Sequence, residues 1–420
     1  MSQAQEHYGR NFACFVADWI GFVTGIAFVS YTSVIPSFVS QLTDFAPLIG
    51  LASTIPNGIW LLPQLLAANY VANRERKKPW VMGMGLIGRP IYLLLGVFIM
   101  VVGGANTLLI LGAFFLAELT FSMLDGISSV AWFDILSRVI PAAKRGRFYA
   151  TAQVSTGVLS LGAGAIVAHV LGPTGPQFPY NYGLLFCLSS TLLLLALFCF
   201  SFVKEPVYKV QPGREPWSSY LPRLARLFRE DGQFRLLNIV RLLMALAGLA
   251  FPFYVVHATT ILGLGGQYIG LFVAAQVLGS LLASMAMGYM NERSGSKIVT
   301  QFTVLLGLAS PVLALAIHWR PPQGVLTPYI YGLVFLFIGA NYSGYMQGFM
   351  NLVLDISPPE ERPAYVGLYN TLGGTVVTAA PLLGGWLLQA TSYPMLFSVT
   401  AIGVLASLVL SLRLQEPRRA

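Results

Sequence analysis

Ile49-Gly50-Leu51 returns 220 residues later as Ile269-Gly270-Leu271. Two further signatures return at almost the same distance. Asn73-Arg74 is matched by Glu292-Arg293, 219 residues on. Pro141, followed four residues later by Arg145, is matched by Pro358 followed by Arg362, at an offset of 217. Three signatures that keep nearly one spacing indicate a duplicated unit.

Outward from these signatures the chain is a series of apolar runs. They lie at 12–36, 46–72, 80–103, 107–136, 148–171, 182–203, 234–262, 267–291, 298–318, 328–355, 364–390 and 393–413. Crossing a bilayer core takes about 20 apolar residues, so the runs are read as twelve spans. Composition agrees: the 420 residues are 56% hydrophobic and 10% charged, with a mean hydropathy of +0.70. A soluble domain carries roughly 25% charged residues, which excludes a water-soluble enzyme, and the apolar content excludes a disordered chain. The expected fold is an all-α membrane protein with twelve transmembrane helices in two pseudo-symmetric six-helix bundles. The bundles are 1–203 and 234–420, joined by a cytoplasmic linker at 204–233. Within the linker, Trp217–Arg229 sets Arg223 and Arg226 on one helical face and Leu224, Leu227 and Phe228 on another. That pattern predicts an amphipathic helix lying on the inner leaflet.

The net charge of +9 is a matter of topology, not of nucleic acid. Basic residues cluster at Arg74, Arg76, Lys77 and Lys78, at Arg138, Lys144, Arg145 and Arg147, at Arg293 and Lys297, and at Arg362. The loops on the opposite side hold one, Arg320. The positive-inside rule then places both termini in the cytoplasm of a multi-pass cell-membrane protein. The start, Met1–Phe12, lacks the pattern of a cleaved signal, so the first run is expected to stay as a helix. Cys14, Cys187 and Cys199 lie in apolar runs with no disulfide or metal-ligand spacing. There is no G-x-x-x-x-G-K-[ST], H-E-x-x-H or G-x-S-x-G motif, so no enzyme, cofactor or metal is expected.

The segment Gly288-Tyr289-Met290-Asn291-Glu292-Arg293-Ser294-Gly295-Ser296-Lys297 resembles the inner-loop signature of the major facilitator superfamily, roughly G-x-L-A-D-R-x-G-R-K. Its first copy, Asn69-Tyr70-Val71-Ala72-Asn73-Arg74-Glu75-Arg76-Lys77-Lys78, keeps the basic residues and replaces the acid with Asn73. The two copies stand at the repeat offset, each after the right span, and the resemblance extends along essentially the whole chain. Drug–proton antiporters of that family carry an Arg in helix four; here Ser122-Met123-Leu124-Asp125-Gly126 has none. Their G-P-x-x-G-G signature is absent from Gly157–Gly164, and a similar string, Ala380-Pro381-Leu382-Leu383-Gly384-Gly385, stands in run eleven instead.

The resemblance implies that runs one, four, seven and ten line a central cavity, and the ionisable residues fall largely on them. An ionisable side chain in hydrocarbon costs at least about 2.5–3.5 kcal/mol, so these should face protein or water. Asp18, Glu118, Asp125, Arg241, His257, Asn341, Tyr345 and Gln347 are the candidates for substrate binding and proton coupling. Glu118 and Asp125 stand two turns apart on nearly one face. A carboxyl out of water favours its neutral form, the property a proton carrier needs. The structural alternatives are a Glu118–Arg89 pair, an Asp18 salt bridge at the gate, a snorkelling Arg241 and a packed, solitary His257. Arg74, Asp134, Arg145, Glu292, Arg293, Asp355 and Arg362 are gating candidates, with Asp134 and Asp355 expected to pair with Arg145 and Arg362.

The expected activity is secondary transport of a small organic solute by alternating access, coupled to protons, with efflux preferred to uptake. Acidic residues outnumber basic ones among the cavity candidates, which favours neutral or cationic substrates. An uptake symporter for sugars or other organic solutes is the alternative. A non-transporting sensor or lipid-modifying enzyme is the competing class, though no added soluble domain or reactive constellation is visible. The expected partners are the substrate, protons and the lipid bilayer, with no nucleic acid, and a monomer as the default.

Overall fold

A computed structural model describes residues 7–61, 63–64, 74–207, 217–322, 324–358 and 361–416. Among these residues the protein is helical, with no strand. In chain order the α-helices are α1 (Tyr8–Ala27), α2 (Val34–Ser40), α3 (Ala46–Leu61), α4 (Lys78–Gly88), α5 (Ile91–Val102), α6 (Thr107–Val139), α7 (Ala142–Val170) and α8 (Tyr180–Ser201). They continue with α9 (Trp217–Glu230), α10 (Gly232–Met244), α11 (Phe251–Thr260), α12 (Gln267–Ser294), α13 (Ser296–Trp319), α14 (Thr327–Gly344), α15 (Asn351–Ile356), α16 (Arg362–Ala390) and α17 (Tyr393–Ser411).

Ten helical stretches among the described residues are long and apolar enough to cross a membrane. They match runs three to twelve one for one. The first two of the expected twelve runs do not reach that standard. Run one is divided into α1 and α2 by turns at Phe28–Ser33, and run two is described as helix only over Ala46–Leu61. The rest of run two at 65–72, Asn73 of the first loop copy, and linker residues 208–216 lie outside the described residues. Apolar side chains such as Leu94, Val101, Leu116, Leu195 and Phe198 stand exposed. In water such a surface would aggregate; in lipid it is as apolar as its solvent, and a helix satisfies its own backbone there.

The chain forms two compact units. The first comprises Met1–Leu42, Ile55–Pro212 and Gly265–Ala274; the second comprises Thr43–Thr54, Gly213–Leu264 and Ala275–Ala420. In the first, α1 packs on α7 and α8, and the α4–α5 pair packs on α6 and α8. In the second, α10 packs on α17, the 3-10 turn Ala245–Leu249 packs on α16, and α13 packs on α14 and α17. The same neighbours recur when run one is mapped to seven, three to nine, and so on, as a duplicated unit requires. Phe15, Trp132, Phe148 and Phe200 anchor the first core; Phe234, Leu237, Leu352 and Tyr369 anchor the second.

The repeated Ile-Gly-Leu has a packing cause. A Cβ on Gly50 would stand 2.1 Å from the carbonyl oxygen of Pro381, and one on Gly270 would stand 2.1 Å from that of Gly164. Each glycine lets one helix lie against the backbone of another, as close membrane-helix packing requires. The Ala380–Gly385 string serves the same contact: a Cβ on Gly385 would meet the Ala46 carbonyl at 2.6 Å.

The predicted amphipathic helix is present as α9, yet Leu227 and Phe228 pack against the second unit's buried cluster. Its apolar face is therefore occupied by protein at those residues. Phe234 and Tyr365 are among the cluster residues in that part of the fold.

Candidate functional site

Two interruptions position the site. The break between α1 and α2 begins at Phe28, and the 3-10 turn between α10 and α11 begins at Ala245, 217 residues later. Each precedes a proline, Pro36 or Pro252, whose ring cannot donate to the helix ladder and crowds the carbonyl four residues back. Interrupted spans at corresponding places in two repeats are the pattern of transporter binding sites. Run three is broken as well: Pro90 separates α4 from α5, and the buried Arg89 carbonyl accepts from Ser190 Oγ at 2.6 Å. That break leaves Arg89 inside the first unit.

Arg89 pairs with Asp18. Its Nη1 lies 3.0 Å from Asp18 Oδ1 and also donates to the Leu193 carbonyl at 2.8 Å. Trp132 Nε1 donates to the other carboxylate oxygen of Asp18 at 2.7 Å. Both charged residues are buried. The structural alternative of a Glu118–Arg89 pair is thereby replaced: the break at Pro90 aims Arg89 at α1, and Glu118 takes a different partner.

Glu118 is fully buried on α6, and its Oε2 accepts from Tyr92 at 2.9 Å. Oε1 has no hydrogen-bond partner among the described residues, with Ser122 one turn on. Asp125, two turns along α6, is half-buried and accepts from Trp60 Nε1 at 2.8 Å. Asp125 and Arg89 line one small void with Phe121 and Ser128. Of the carboxyls Asp18, Glu118 and Asp125, the first is neutralised by an arginine and the other two are held by neutral donors.

In the second unit Arg241 is buried rather than snorkelling. Its Nη1 donates to the Tyr369 carbonyl and its Nη2 to Tyr345 Oη. His257 is not solitary. Its Nε2 lies 3.0 Å from Nδ1 of His318, and its Nδ1 lies 3.0 Å from Tyr331 Oη. Tyr331 gives its proton to the Tyr254 carbonyl at 2.8 Å, so His257 Nδ1 must donate to Tyr331 and, in the neutral ring, Nε2 accepts from His318. Phe253 and Tyr254 are buried, with Tyr254 stacked on Phe397, so both serve packing. Asn341 donates to the Thr303 carbonyl at 2.9 Å and ties α14 to α13. Tyr345 and Gln347 stand in a π-helical turn, Tyr345–Met350. Single π turns inside helices recur at functional sites.

The loop residues form a second constellation. Asp134 is held by Lys77 Nζ at 2.7 Å and by Arg138 at 2.6 Å, and Asp355 accepts from Ser296 Oγ at 2.7 Å. The expected partners Arg145 and Arg362 have side chains outside the described residues. Arg74 and Glu292 are exposed, and Arg293 lies over the Tyr289 ring at 4.5 Å. Two acids were missed from sequence. Glu205 accepts from the Lys77 and Lys78 backbone N–H groups at 2.8 and 2.9 Å, and Glu416 accepts from that of Lys297 at 2.9 Å. Both follow the last span of a repeat and precede a proline, in Glu205-Pro206 and Glu416-Pro417, and that pairing was the available signal. Glu205→Ala will leave two helix N-terminal donors without their carboxylate, at about 1–3 kcal/mol, read as a lower unfolding temperature in detergent.

The Major Facilitator Superfamily model matches residues 237–420. Over nearly its whole length the chain also superposes on solved transporters. A bacterial homologue of the iron transporter ferroportin gives a TM-score of 0.70 at 14% identity, covering 96% of this chain and 98% of that one. In sequence, the match to that superfamily is carried by the second half of the chain. The peptide transporter POT superposes with a TM-score of 0.71 at 12% identity, over 99% and 97% of the two chains; such identities speak to fold alone. In sequence, the chain is 24% identical over 174 residues to the quinolone resistance protein NorA of Staphylococcus aureus. The match spans 41% of this chain and 42% of that relative.

Proposed function

We propose that this multi-pass membrane protein is a secondary active transporter that moves a small organic solute by alternating access, driven by proton exchange. The observation that carries the reading is Glu118, a buried carboxyl in mid-span with one oxygen unpartnered and no salt bridge among the described residues. An ionised carboxylate is costly out of water, whereas the neutral acid is tolerated. A group of that kind takes and releases its proton as rearrangement wets it. Asp125, held by a neutral indole beside Arg89, is the second carrier. The interrupted spans in both units support rocking about a site near the midplane. The basic loops support cytoplasmic termini, and a monomer suffices for one complete pair of repeats. The similarity to a resistance protein favours efflux.

The test is proton movement in proteoliposomes loaded with a pH-sensitive dye and challenged with sugars, amino acids, organic acids and cationic drugs. At least one compound is expected to move protons in wild type and to fail in Asp125→Asn. Flux that survives in both Asp125→Asn and Glu118→Gln would make the acids structural. Silence across the panel, with substrate entry intact, would point to a uniporter.

A further inference from the structure

Among the described residues two arginines are buried, equally hidden and unequally paired. Arg89 is 6% exposed and meets Asp18; Arg241 is 7% exposed and meets no carboxylate among the described residues. Its charge rests on π faces: the guanidinium carbon lies 3.7 Å from the Tyr369 ring centroid and 4.8 Å from that of Tyr345. Such contacts soften a buried charge without cancelling it.

The hydrogen bonds around it are oriented. Tyr345 Oη accepts from Arg241 and has one proton, which it gives to Asn370 Oδ1 at 3.3 Å. That bond fixes the amide, so Asn370 presents its Nδ2 hydrogens, and Asn370 is exposed. Arg241 has five N–H donors, of which two have acceptors among the described residues. What the cluster has left over is therefore donors and one positive charge. The backbone is shaped to admit the group: a Cβ on Gly373 would stand 1.9 Å from the guanidinium carbon. Tyr345 opens the π-helical turn, which sets its ring where both Arg241 and Asn370 reach it.

We infer that Arg241, Tyr345 and Asn370 bind a carboxylate group of the transported solute, making the substrate an organic acid or a zwitterion. The inference deepens the transport reading and rests on it for calling the ligand a substrate. It also revises the expectation of a neutral or cationic solute. That expectation counted Asp18 as a free acid, whereas Asp18 is neutralised by Arg89 and the uncompensated cation is Arg241. A carboxylate fits the fork geometry of a guanidinium.

The test is ligand-dependent thermal stabilisation of the purified full chain in detergent, without a proton gradient. The probes are benzoate and 2-naphthoate, each beside its neutral amide. In wild type the acids are expected to stabilise and the amides not. Arg241→Gln should weaken the acid response by about tenfold or more, as loss of a charge-assisted hydrogen bond does. Gly373→Ala, which displaces the guanidinium, should do the same. Should Arg241→Gln fail to fold, Asn370→Leu at an exposed position decides, with a several-fold weaker acid response expected. Acids no better than amides in wild type, or an acid response unchanged in the variants that fold, would overturn the inference. Acid binding without proton flux would sink only the coupling reading; flux carried solely by uncharged or cationic compounds would sink only this one.

Discussion

Arg89→Met, made alone, will cost about 3–5 kcal/mol of stability or remove the protein from the membrane fraction. The reason is what remains behind. Asp18 is buried on α1 and depends on Arg89 for its counter-charge, at 3.0 Å; without it the carboxylate keeps only the Trp132 indole, at 2.7 Å. Removing one member of a buried pair leaves an uncompensated charge, the expensive case. Replacing both members is the cheap case, so Asp18→Asn with Arg89→Met should recover most of the loss, since Asn can still accept from Trp132. Thermal unfolding in detergent and yield of monodisperse protein check both variants. Arg89→Met as stable as wild type would mean that the pair does not hold α1 to the break at Pro90.

Glu118→Gln, by contrast, will leave the fold intact and reduce substrate-driven proton flux to the level of empty liposomes. Gln is isosteric with the acid, and its carbonyl can accept from Tyr92 as Glu118 Oε2 does at 2.9 Å. The substitution removes the titratable proton and little else. A purely structural Glu118 predicts unchanged flux in Glu118→Gln and a defect in Tyr92→Phe, so the two variants together separate the readings. Downhill exchange of substrate should persist in Glu118→Gln, because a carboxyl fixed in its neutral form still permits the loaded protein to reorient.

Much of this architecture is legible in the residues. The offsets of 217 to 220 reveal the repeat, and the structure explains one of them: Gly50 and Gly270 stand where a Cβ would strike a neighbouring backbone. The helix breaks were also open to reading, since Pro36, Pro90 and Pro252 each stand where a span is interrupted. The pairings were not. Asp18 and Arg89 are 71 residues apart, and no periodicity says that the first span meets the third. Arg241 lies nine residues into its span, a depth at which an arginine either snorkels or is buried, and only the tyrosines of α16 and the π turn decide. His257 looked solitary because His318 approaches from another span, 61 residues away.

The most direct test of proton-coupled transport is accumulation under an imposed gradient. Proteoliposomes carrying the wild-type protein are given a pH step, and the solute identified by proton flux is followed across the membrane. Coupled transport predicts that the solute is concentrated well beyond equilibrium on one side, that a protonophore releases it, and that Glu118→Gln equilibrates it without concentrating it. Equal final concentrations on both sides in wild type, with and without the pH step, would contradict the claim and leave a facilitator in its place.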